Sequence, residues 1–323
     1  DISQHKIPQD GQLKVDVGEF LVTARASCLP VKYGEKIVLR LIRARGSVVP
    51  LNMMVPDRRT TKILKSVAGA SQGLFLVTGP TGSGKTTTLY SLLNDINRVD
   101  VNVITLEEPV EMEIPGFNQV EIERKRGLDF GVALRSVLRQ DPDVVMVGEI
   151  RDEETAKIVF DAAITGHLVL STLHTTTSLD VAPRLHELGI PYTTMAAGLL
   201  GVLTQRLVRG ICKSCTTTRS PMTSEIEFIK DVLGDQVEIP AELKVGKGCA
   251  SCNGSGYFDR VVVVEVWRAT LEMKRALIEG GDMEAMLKAA RADGYQSLLE
   301  FGLRMALSGL TTVEEVRRYL SVV

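Results

Sequence analysis

Gly73-Leu74-Phe75-Leu76-Val77-Thr78-Gly79-Pro80-Thr81-Gly82-Ser83-Gly84-Lys85-Thr86-Thr87 decides the reading of this chain of 323 residues. A short apolar run enters a glycine-rich loop, and Leu89, Leu92, Leu93 and Ile96 leave it at helical spacing. Residues 79–86 fit the pattern G-x-x-x-x-G-K-[ST] in full, within the strand–loop–helix context that gives the pattern its meaning. Glycines let the backbone wrap so that successive N–H groups face phosphate oxygens, helped by the positive end of the following helix. Lys85 then neutralises β- and γ-phosphate charge, and Thr86 offers its hydroxyl to Mg²⁺. Gly79, Pro80, Thr81, Gly82, Ser83, Gly84, Lys85, Thr86 and Thr87 are therefore the candidate contacts to ATP.

Outward from the loop, three more apolar runs occur at residues 101–106, 144–147 and 168–173, with helical patterns between them. Such runs suit strands buried on both faces of a parallel sheet. One helix is expected to open at Asp152-Glu153-Glu154 and stop near Gly166. The run at 144–147 ends in Gly148-Glu149, and a glutamate at the carboxyl end of a buried strand is well placed to polarise an attacking water. Most phosphate-loop enzymes carry a metal-organising Asp where Gly148 stands, so Mg²⁺ must rely on Thr86, phosphate, water and a neighbouring acid. Glu107-Glu108-Pro109-Val110-Glu111 follows the run at 101–106, and His167 and His174 flank the run at 168–173. Glu107, Glu108 and His174 join Glu149 and Lys85 as catalytic candidates.

The first fifty residues have another texture. Alternation at 13–17 and 20–26 predicts half-buried strands, with a third at 35–42. Eight basic residues face five acidic ones there, a local +3 within a chain of net −2. The segment is short for an independent domain and reads as the end of one. Toward the other terminus stand two Cys-x-x-Cys knuckles, Cys212/Cys215 and Cys249/Cys252, with 33 residues between them. Each pair can give two thiolates to one tetrahedral Zn²⁺, and four-cysteine sites are closed and structural. Gly246, Gly248, Gly254 and Gly256 supply tight turns around the sulfurs. Cys28 stands alone and is expected to pack as a small hydrophobe, and Thr312 with Glu315 is expected to form a capping box.

Composition closes off several classes. The longest apolar stretches fall short of the ~20 residues that span a bilayer. With 38 basic against 40 acidic residues and 5% aromatics, little is left for phosphate tracking or base stacking, so nucleic acid is not an expected partner. A cytosolic globular α/β protein is the expectation.

Taken together, the boxes resemble one family, the secretion ATPases of type II secretion and type IV pilus assembly. Thr105-Leu-Glu-Glu-Pro-Val-Glu111 resembles its aspartate box, residues 138–152 its Walker B strand, and Gly166-His-Leu-Val-Leu-Ser-Thr-Leu-His-Thr175 its histidine box. Arg25-Ala-Ser-Cys-Leu-Pro and Gly34-Glu-Lys-Ile-Val-Leu-Arg40 resemble the end of its second N-terminal domain. Two positions depart from the family's usual residues, Thr176 where Asn is frequent and Gln12 where Arg is.

The resemblance implies a RecA-like P-loop NTPase domain with a mainly parallel sheet at 47–323. It implies the C-terminal part of a small α+β domain at 1–46. The NTPase domain would hold a tetracysteine zinc element at 205–262 and C-terminal helices at 270–323. Arg25 and Arg40 are expected to reach the nucleotide from the N-terminal domain, with Arg135 and Arg139 near the site. ATP, Mg²⁺ and Zn²⁺ are the implied cofactors. A homo-hexamer docked on the cytoplasmic domains of an inner-membrane platform is the implied assembly, cytoplasmic and peripheral to that membrane. Two other readings share the same loop: a nucleic-acid translocase or helicase, and a nucleotide-gated scaffold without turnover.

Overall fold

A computed structural model describes residues 3–17, 20–43 and 48–321. At the N-terminal end, β1 (Gln9–Val17), β2 (Phe20–Val31) and β3 (Gly34–Arg43) form an antiparallel three-stranded sheet in that order. The described residues before 48 contribute strands and no helix, so only the β part of the expected α+β unit is represented. Register places Arg25 directly opposite Arg40, which puts the two expected arginines on one face.

The second unit begins with α1 (Leu51–Met54) and α2 (Arg58–Ala68), the latter capped by Asp57, whose carboxylate accepts from Thr60 N at 2.7 Å. Then follow β4 (Gly73–Thr78), α3 (Lys85–Ile96), β5 (Val103–Glu107), β6 (Asn118–Glu121), α4 (Phe130–Val137), β7 (Val144–Val147), α5 (Glu153–Ile164) and β8 (Leu168–Leu173). After α6 (Val181–Glu187) and α7 (Tyr192–Gly198) comes the long β9 (Leu199–Ile211). A small excursion holds β10 (Thr216–Arg219), α8 (Thr223–Leu233) and β11 (Leu243–Gly246), and β12 (Tyr257–Arg268) returns to the main sheet. The chain finishes with α9 (Leu271–Ile278), α10 (Met283–Ala292), α11 (Leu298–Ser308) and α12 (Val313–Leu320).

The main sheet runs β12-β9-β4-β8-β7-β5-β6, parallel except where β12 pairs antiparallel with β9. β4, β5, β7 and β8 are buried along their whole length, which explains their nearly unbroken apolar runs. Leu74, Leu76, Val145, Val147 and Val169 meet α4, α5, α7, α9 and α10 on one side. Phe75, Val77, Val144, Met146 and Leu170 meet α1, α2, α3, α11 and α12 on the other.

Three local expectations change. β9 and β12 belong to the main sheet, so what stands apart is the cysteine-bearing excursion between them, narrower than 205–262. Thr312 caps α12 through Glu315 N at 3.2 Å, but the return bond from Glu315 is missing. Its carboxylate is taken instead by the Arg209 guanidinium, at 2.6 to 3.0 Å. Cys28 is half-buried and donates its Sγ–H to Glu35 at 3.0 Å rather than packing as a hydrophobe, and Glu35 also holds His5 at 2.6 Å.

Candidate nucleotide site and cysteine cluster

The loop between β4 and α3 turns at three glycines in the left-handed region, Gly79 (φ 132°), Gly82 (φ 78°) and Gly84 (φ 90°). At Gly79 the requirement is also steric: a Cβ would lie 2.4 Å from the Gln205 carbonyl oxygen on β9. Gly84 is the N-cap of α3 and lends no side-chain cap, which leaves the helix N-terminus to a ligand. Ser83 is 3% exposed, and its hydroxyl has no partner among the described residues. Buried hydroxyls are ordinarily bonded, so this one is left for a group that enters the loop. Lys85 lies back on its own loop, donating to the carbonyls of Gly79 at 2.8 Å and Pro80 at 3.1 Å. Burial pulls its pKa down, while Glu149 and Glu111 pull it up.

Adjacent parallel strands deliver the acids. The carboxyl ends of β5, β7 and β8 are tied together: Gly148 N donates to Leu106 O at 2.8 Å, and Thr172 Oγ1 donates to Gly148 O at 2.7 Å. A Cβ at position 148 would sit 3.0 Å from Leu106 O, so the close approach of β5 favours glycine where other phosphate-loop enzymes have Asp. Glu149 then projects with its side chain 15% exposed, 2.5 Å from Arg151 and 3.5 Å from His174 Nε2. Arg151 reaches on to Glu108 at 3.7 Å, and Arg124 grips Glu108 through two nitrogens at 2.9 and 3.2 Å. Glu149, His174 and Glu108 thus form one charged chain, as an adjacency of strand ends allows and linear distance conceals.

Glu107 does not join them. It is 3% exposed and accepts from Thr105 Oγ1 at 2.6 Å, Gln119 Nε2 at 3.1 Å and the Tyr90 hydroxyl. Burial raises its pKa, and these three donors oppose the rise. Its carboxyl group is therefore held inside the sheet by these donors, apart from the chain of Glu149, Arg151 and Glu108. Arg135 pairs with Glu154 at 2.5 Å, and Arg139 donates to the Arg135 carbonyl at 2.7 Å, so both are held on the surface of α4 and α5. Arg25 and Arg40 are exposed on the N-terminal sheet. Two like charges directly opposite are mutually unfavourable, which suits a face that meets an anion.

Three residues absent from the sequence reading enter the site. Arg151 could have been suspected from its place two residues after Glu149. Gln205 carries no local signal. Arg206, whose Nε is buried without a partner among the described residues, lines a cavity of about 620 Å³ beside the loop with Pro80, Ser83, Arg209, Tyr257 and Arg260.

The four knuckle cysteines converge. Sγ separations are 3.9 Å for Cys212–Cys249, 3.8 Å for Cys215–Cys252 and 3.7 Å for Cys249–Cys252, and all four sulfurs lie within 4.8 Å of one another. A tetrahedron with Zn–S bonds of about 2.3 Å has sulfur–sulfur edges of about 3.8 Å, so the cluster fits zinc. Close backbone contact makes this possible: a Cβ on Gly246 would stand 1.9 Å from the Gly256 carbonyl oxygen. Burial pushes the Cys252 thiol up, but N–H groups of Cys249 and Gly256 at 3.2 and 3.3 Å, with the neighbouring Cys249 and Cys215 thiols, together bring it below the ordinary thiol range.

Fold and loop define a phosphate-loop nucleotide-binding protein of the α/β class. The family described as "Type II/IV secretion system protein" matches residues 1–318, and the chain belongs to it. It is 42% identical over 316 residues to the type IV pilus assembly ATPase PilB of Thermus thermophilus, covering 98% of this chain and 35% of that one. It is 39% identical over 318 residues to the type II secretion system protein E of Pectobacterium carotovorum subsp. carotovorum, covering 98% and 62%. The chain thus spans less than two thirds of the length of either relative. Among solved structures, the pilus retraction motor PilT with bound ADP superimposes with a TM-score of 0.70 at 25% identity, over 97% of this chain and 77% of that one.

Proposed function

We infer that this chain is the ATP-hydrolysing part of a motor for type II secretion or type IV pilus assembly. The observation that carries the reading is the convergence of the empty-capped loop with the Glu149–Arg151–His174 chain at neighbouring strand ends. Loop N–H groups, Lys85 and Thr86 hold the phosphates, with Thr86 supplying a hydroxyl to Mg²⁺, which adds charge stabilisation when bound. Glu149 orients the attacking water and accepts its proton, and Arg151 and His174 hold that carboxylate in place. Glu108, through Arg151, sets the charge of the same chain. Cys212, Cys215, Cys249 and Cys252 hold a structural Zn²⁺.

Arg25 and Arg40, paired across one sheet face, act on the nucleotide of a neighbouring copy in a homo-hexamer, so that turnover drives domain motion. The relatives' names supply the processes, type IV pilus assembly and type II secretion; the partner of this reading is the cytoplasmic part of an inner-membrane platform. No helix among the described residues is long and apolar enough to cross a membrane. The test is Glu149→Gln: phosphate release is expected to fall 10²–10⁴-fold, the usual worth of a general base, with ATP affinity retained. Wild-type protein that binds ATP but releases no phosphate as an assembled ring would overturn the motor in favour of a nucleotide-gated scaffold.

A further inference from the structure

We propose that Gln205, in the middle of β9, is a positioning residue that sets the direction of the Ser83–Gly84 peptide in the phosphate loop. The proposal rests on the loop's being a nucleotide site. β9 pairs with β4 in parallel as far as Thr78 opposite Thr204, so the next residue along β9 arrives where β4 ends and the loop begins. Gln205 is completely buried there. Its Nε2 donates to Ser83 O at 2.6 Å, and its Oε1 accepts from Thr88 Oγ1 at 2.7 Å.

Peptide planarity turns this bond into an aim. In a trans peptide the carbonyl and the N–H of the next residue point in opposite directions. Drawing the Ser83 carbonyl down onto Gln205 therefore turns the Gly84 N–H up, into the concavity where phosphate oxygens sit. Without that anchor, Gly84 at φ 90° has no Cβ to resist a peptide flip. A flipped peptide would present a carbonyl oxygen to an anion. The second bond ties the same amide to the first turn of α3, where Thr88 N also donates to Gly84 O at 3.1 Å. Main-chain contact reinforces the position, since β9 leaves no room for a side chain at Gly79, and a Cβ on Gly84 would meet Gln205 Nε2 at 3.1 Å. One glutamine thus ties the end of the loop, at Ser83, to the first turn of α3, at Thr88, on either side of Lys85.

The experiment titrates a fluorescent ADP analogue into wild type, Gln205→Leu, the isosteric Gln205→Glu and Thr88→Val, with steady-state kinetics and nucleotide-free Tm alongside. Gln205→Leu and Gln205→Glu are expected to raise Kd and KM at least tenfold with kcat changed less than threefold. Gln205→Glu should be the weaker binder, because a carboxylate oxygen replaces the donor that faces Ser83 O. Thr88→Val, which leaves the Ser83 bond intact, is expected to change Kd less than threefold. Glutamine variants that bind within twofold of wild type, or whose Kd rises no more than that of Thr88→Val, overturn the proposal. Wild type that binds no ADP overturns the nucleotide-site reading itself, a separate outcome.

Discussion

Replacing Tyr90 by Phe removes one hydroxyl from beneath the sheet and tests what Glu107 does. Tyr90 is 2% exposed, and its hydroxyl donates to the Glu107 carboxylate, itself 3% exposed. After the substitution Glu107 keeps two donors, Thr105 Oγ1 and Gln119 Nε2. Where Glu107 is ionised, the lost bond is charge-assisted, worth about 1.5–3 kcal/mol; where it is protonated, the lost bond is neutral, worth about 0.5–1.5 kcal/mol.

The sign follows from linkage. Burial holds the folded-state pKa of Glu107 above its ordinary value, so its contribution to stability is complete below the unfolded pKa, near 4.3. That contribution is lost as pH rises through the folded value. Removing a donor lifts the folded value further, so the variant's deficit must widen with pH. Urea unfolding of both proteins is expected to show a deficit of about 0.5–3 kcal/mol, larger at pH 8 than at pH 5. A deficit that is larger in acid, or absent at both, would refute the picture of Glu107 as a buried carboxyl group held by donors.

Two further outcomes are expected. Purified protein should hold one zinc per chain, released by mercurial treatment and measured with a chromogenic chelator; removal should expose the segment between β9 and β12 to protease, and a chain free of zinc would refute the site. Glu315→Ala breaks the pair with Arg209, whose partner side chain is 1% exposed while Arg209 itself is 40% exposed. The loss should be about 3 kcal/mol, the low end for breaking a buried pair, because Arg209 can rehydrate; a change under 1 kcal/mol in chemical denaturation would contradict it.

Some of the site was readable along the chain because its parts are local. The phosphate loop is a contiguous turn whose glycines, lysine and threonine must stand at set spacings, so residues 79–87 announce it unaided. The cysteine knuckles are local pairs as well, and only their meeting across 33 residues needed the fold. Apolar runs identified the strands of the parallel sheet because burial on both faces leaves no alternation to confuse them. The acids were harder. Glu107 and Glu108 are neighbours, but successive residues at a strand end face opposite ways. One turned inward to Tyr90 and the other outward to Arg124 and Arg151, and no spacing rule chooses between them.

Whatever depended on contact between distant segments belonged to the tertiary structure. Gln205 lies well over a hundred residues from the loop it holds, and nothing in its neighbours marks it. Glu315 left its expected capping box because a guanidinium from β9 outcompeted a backbone N–H. Gly148 was read from the sequence, but that a Cβ there would press on the Leu106 carbonyl of β5 at 3.0 Å is a fact of strand packing. Chemistry encoded in consecutive residues is legible before folding, since chain geometry alone brings those atoms together. Chemistry assembled from strand ends waits on strand order, which long-range packing decides.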